Sequence, residues 1–75
     1  MTARPVKHSL TLRGHRTSVS LEAAFWDAFR DIARQDGKTL NQLAAEIDTA
    51  RGPDAGLASA IRVFVLERAL SKSGG

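Results

Sequence analysis

Arg16, Ser18 and Ser20 alternate with Thr17, Val19 and Leu21 over six consecutive residues. A period of two sends successive side chains to opposite faces of an extended strand, so one face carries a guanidinium and two hydroxyls while the other is apolar. A face of that kind can pair with an oxygen-rich anionic surface. The surrounding charge is placed to match. Residues 1–16 hold Arg4, Lys7, Arg13 and Arg16 and no acid, whereas residues 17–75 hold seven basic and eight acidic side chains. A basic stretch leading into a polar strand face suits a polyanion such as DNA, and the plainer reading of it is a solvated tail. Catalytic chemistry finds little to build on. There is no Cys, no Tyr and no Gly-rich phosphate loop, and the acids are spread along polar helix faces, so an enzyme is not expected. His8 and His15 stand in a basic stretch with no acidic ligand nearby, which favours solvent exposure or phosphate donation over metal binding.

The elements that must position this face follow from periodicity. Residues 1–7, with Pro5 and no pattern, read as a flexible basic arm, residues 8–70 as a single domain and residues 71–75 as a frayed tail. Leu10 and Leu12 alternate weakly with Ser9 and Thr11, and Arg13-Gly14-His15 has the makings of a turn. A first helix begins near Glu22 with Ser20 as its cap-type residue, and Phe25, Ala28, Phe29, Ile32 and Ala33 form its apolar stripe. Asp27–Arg30 and Asp31–Arg34 are spaced for surface pairs. Trp26 borders the stripe. Gly37 suits the left-handed position past the last turn, and Thr39 caps a second helix that buries Leu40, Leu43, Ala44 and Ile47. The run Arg51-Gly52-Pro53-Asp54-Ala55-Gly56 breaks it. A third helix covers about 57–70, with apolar residues around most of its circumference, which calls for burial on several sides and hence for a partner. No internal repeat is visible.

A strand at 16–21 cannot satisfy its own backbone. Its partner is either residues 9–12 or the same strand of a second copy. The second copy is preferred, because 75 residues without a single cysteine make a marginal core that oligomerisation would support. No apolar run approaches about 20 residues and no secretory h-region is present, so a cytoplasmic protein is expected.

Strand, helix, Gly turn and Thr-capped helix together resemble the ribbon-helix-helix superfamily of DNA-binding proteins, of the Arc and methionine-repressor type. The residues that carry the resemblance are Arg16-Thr17-Ser18-Val19-Ser20-Leu21, the first helix through Asp36, and Gly37-Lys38-Thr39-Leu40-Asn41-Gln42-Leu43. The runs Gly14-His15-Arg16-Thr17-Ser18-Val19-Ser20-Leu21-Glu22 and Ile61-Arg62-Val63-Phe64-Val65-Leu66-Glu67 look like a family of short, mostly stand-alone bacterial domains of this type. The resemblance implies a mainly α fold: one short N-terminal strand paired antiparallel across a homodimer, two helices, and here a third C-terminal helix. It also implies that the paired strands enter the DNA major groove, with Arg16, Ser18 and Ser20 facing base edges. The mouth of the second helix, at Thr39, Leu40 and Asn41, would grip a phosphate, and Arg13 and Lys7 would add phosphate contacts. Ser18 and Ser20 are shorter than the polar side chains often found at such positions.

The function so implied is a homodimeric DNA-binding regulator, a transcriptional repressor. The implied partners are DNA and a second copy, with association beyond the dimer and a protein partner left open; no membrane and no cofactor is implied. The alternatives are an antitoxin or a dimeric interaction module that keeps the fold without reading DNA. An antitoxin would carry an extended C-terminal segment that folds on its target, where this sequence has Ser71-Lys72-Ser73-Gly74-Gly75.

Overall fold

The computed structural model describes residues 4–52 and 54–73. Two strands, β1 (Val6–Leu12) and β2 (His15–Leu21), precede three helices, α1 (Ala23–Gln35), α2 (Leu40–Ala50) and α3 (Leu57–Ser73). The two strands form one antiparallel sheet, with Leu12 paired to His15 at the closed end and Val6 to Leu21 at the open end. The strand at 16–21 therefore finds its partner within its own chain, where pairing with a second copy was the preferred expectation. The physical reason is the loop. Arg13 and Gly14 both take positive φ, 52° and 80°, the pattern of the tight two-residue turn whose twist matches that of the strands it joins. So short a connection holds β1 beside β2 at little entropic cost, whereas a second copy must be recruited from solution.

Both strands are longer than expected. β1 begins at Val6 and takes in Lys7, residues read as arm, while α3 continues past residue 70 to Ser73. Residues 1–3, 53, 74 and 75, which include part of the expected arm and the end of the expected tail, lie outside the described residues. β2 also runs through Ser20, which therefore is a strand residue and not a helix cap. Glu22 occupies the N-cap of α1 in extended conformation, and its side chain makes no cap hydrogen bond.

The inward faces of the hairpin close the core. Leu10, Leu12, Val19 and Leu21 are buried against Phe29, Ile32 and Ala33 of α1 and Leu43, Ala44 and Ile47 of α2. α3 contributes Ile61 and Val65, and no polar or charged side chain among the described residues is buried. Trp26 rims this core: His8 stacks on it with ring centroids 3.7 Å apart, and Trp26 tilts against Phe29 at 6.0 Å. His8 is thus half-buried on the inner face and turned away from solvent.

α1 ends as Gly37 requires. At φ 67° that residue donates to Arg34 O at 3.1 Å while Lys38 N–H reaches Ala33 O at 2.9 Å, closing the last turn in a Schellman arrangement. Two residues later α2 opens with a full capping box, Gln42 N–H to Thr39 Oγ1 at 3.1 Å and Thr39 N–H to Gln42 Oε1 at 2.8 Å. α3 departs from expectation. It is buried along one side only, and Val63, Leu66 and Leu70 remain more than half exposed.

Candidate nucleic-acid interface

In an antiparallel hairpin, directly opposed residues share a face. The register opposes Lys7 to Ser20, Ser9 to Ser18 and Thr11 to Arg16. All six are exposed, so the outer face of the ribbon is two cations and four hydroxyls with no acid among them. Arg16, Ser18 and Ser20 stand on this face together with Lys7. Ser9 and Thr11 complete it; they were not expected as site residues, although their alternation with Leu10 and Leu12 is the signal that could have found them.

Because the loop has two residues, hydrogen-bonded rungs alternate from Leu12–His15 outward, and the backbone groups of Thr11 and Ser20 point to the ribbon's two edges. Each edge is met by a helix. Asn41 Oδ1 accepts from Thr11 N–H at 3.1 Å on the β1 side. On the β2 side the Arg62 guanidinium of α3 donates to Ser20 O at 3.2 Å and to Glu22 Oε1 at 2.9 Å, and it lies 5.9 Å from the Phe25 ring centroid. The mouth of α2 therefore stands beside the ribbon. The capping box satisfies the Gln42 N–H, which leaves those of Leu40 and Asn41 as the free donors of the first turn. Arg13 is held differently: its guanidinium donates to the Thr49 hydroxyl in the last turn of α2, which in turn donates to Ala45 O at 2.9 Å.

Charge separates this region from the rest. The five ion pairs among the described residues are Arg34–Asp31, Lys38–Glu46, Arg51–Asp48, Arg62–Glu22 and Arg68–Asp36. None involves Lys7, Arg13 or Arg16. Of the two helical pairs expected, Asp31–Arg34 forms at 2.6 Å and Asp27–Arg30 is not among the five. The hydrogen bond from Arg62 holds the Glu22 carboxyl below the usual carboxylate range, and that from Arg68 does the same for Asp36. Asp36 correspondingly raises the Arg68 guanidinium.

This arrangement, a polar two-stranded ribbon over a Thr-capped helix pair, defines a class, and the family comparison agrees. A model described as "Ribbon-helix-helix domain" matches residues 5–69, and the chain belongs to that family. Among solved structures it is similar to an uncharacterized protein from Bordetella pertussis Tohama I, at 36% identity and TM-score 0.74. That likeness covers 93% of this chain and 60% of that protein's chain. No curated protein matches.

Proposed function

We propose that the chain is a DNA-binding regulator, a cytoplasmic bacterial repressor that acts as a homodimer and lays the outer face of its ribbon in the major groove. One observation carries the reading: in a family of ribbon-helix-helix domains, this ribbon face is acid-free and its cations have no ion-pair partner among the described residues. Arg16, Ser18 and Ser20 would meet base edges, the first by a bidentate pair with guanine. Lys7 and the backbone donors at Leu40 and Asn41, behind the Thr39 cap, would take phosphates, and Arg13 would do so by exchanging its tie to Thr49.

Support for the dimer comes from α3, since β2 is already paired with β1. Val63, Leu66 and Leu70 recur at helical spacing along its exposed side. The same side chains favour a second reading, a protein-interaction module of which an antitoxin is one form. Titration of duplex DNA at two salt concentrations separates the two. The regulator predicts a log–log slope of roughly −3 or steeper, from several phosphates neutralised. Binding that is absent at low salt, with self-association intact, would leave the interaction module.

A further inference from the structure

The two strands of the ribbon are one motif written twice. Val6-Lys7-His8-Ser9-Leu10-Thr11-Leu12 and His15-Arg16-Thr17-Ser18-Val19-Ser20-Leu21 align without a gap. Each places a cation, a serine and a second hydroxyl outward, and aliphatic side chains inward at its fifth and seventh positions. Exposure follows the same sequence residue for residue in the two copies. The register then pairs Ser9 with Ser18, which are equivalent positions of the repeat. An antiparallel pair whose middle rung joins equivalent residues has a local two-fold axis through that rung. Under it Lys7 corresponds to Arg16 and Thr11 to Ser20. The tied residues correspond although the tied groups differ, since Asn41 meets the Thr11 N–H and Arg62 the Ser20 C=O. Both edges are held by the chain's own helices.

A protein two-fold is matched in DNA by a two-fold in the sequence it reads. We infer that each chain carries a complete DNA-reading ribbon, with Lys7 as the counterpart of Arg16, and that one chain reads a short inverted repeat. This rests on the DNA-binding reading above. Lys7 and Arg16 sit on opposite strands, separated by four residues along the ribbon, or about 13 Å at the rise of a strand. That spans about four base steps at roughly 3.4 Å each. The two cations would each meet the acceptor edge of a guanine, one on each DNA strand, with the Ser9–Ser18 rung over the centre of the element. Lys7 thereby becomes a specificity-determining residue, not a phosphate contact alone.

The test uses the full chain and a duplex recovered from a random-sequence pool, cut to hold a single element. Lys7→Ala and Arg16→Ala should each weaken binding about tenfold or more and relax preference at mirror-related positions of the element. Arg30→Ala, which removes an exposed cation of α1 away from the ribbon, should leave affinity, sequence preference and salt dependence unchanged. With duplex in excess, each homodimer should take up two single-element duplexes, one per chain. If Lys7→Ala leaves the sequence preference unchanged while Arg16→Ala abolishes binding, or if a homodimer saturates with one duplex, the single-chain ribbon is overturned and DNA binding stands. If the wild-type chain recovers no duplex from the pool, the DNA reading falls and this inference with it.

Discussion

The protein has two exposed faces of opposite character. The outer face of the hairpin carries Lys7, Ser9, Thr11, Arg16, Ser18 and Ser20, polar throughout and without a carboxylate. The outer side of α3 carries Val63, Leu66 and Leu70, each more than half exposed, while the arginines of that helix turn inward to Glu22 and Asp36. Cations that find carboxylates hold the fold together, and cations that find none are left for a ligand. Exposed aliphatic side chains at helical spacing cannot serve a polyanion and gain only by meeting another apolar surface. On the proposed reading the two faces take different partners, DNA at the ribbon and protein at α3.

Breaking one face should leave the other working. The largest effect is expected from Leu66→Asp, which sets a charge in the middle of the α3 stripe. Self-association measured by sedimentation should weaken at least tenfold, with the helical content and the salt dependence of DNA binding by each chain retained. Gly14→Ala acts on the opposite end. A Cβ there meets no atom within 4 Å, so the cost is conformational only, about 1 kcal/mol at φ +80°. Denaturant titration should show that loss, DNA affinity should fall with it, and self-association should not change.

Acid provides the smallest and most selective perturbation. Glu22 and Asp36 are held below the ordinary carboxylate range by arginines of α3, so the stabilisation is complete above that range and lost as pH falls through their lowered values. The thermal midpoint should be level from neutral pH to about 5 and decline below about 4. Exchange of α3 amides should rise first, because both pairs anchor that helix. A midpoint that drops between about pH 7 and 5 would contradict this assignment.

How much of this was legible in the sequence varies by element. The alternation through Val19 and Leu21, the stripe of α1, the left-handed Gly37 and the Thr39 cap are local signals, and each is where the residues place it. The partner of β2 was not legible in the same way. Arg13 at positive φ is an unusual choice for a two-residue turn, and without that turn the hairpin and the two-copy ribbon satisfy the same backbone groups. The strand repeat is faint in the sequence because only Ser9/Ser18 and Leu12/Leu21 are identities; the rest is agreement of chemical type, visible once the register sets Ser9 opposite Ser18. Asn41 and Arg13 were expected to reach outward, and their ties to Thr11 and Thr49 depend on tertiary neighbours 30 and 36 residues away. The exposure of Val63, Leu66 and Leu70 likewise depends on how much surface the rest of the chain can cover, which periodicity alone does not state.

The division between the two faces is tested most directly by following backbone amide resonances while duplex DNA is added. The account predicts shifts concentrated in residues 7–20 and 39–41, fading as salt is raised, with residues 63–70 unmoved. Shifts confined to 63–70, with the hairpin silent, would contradict it.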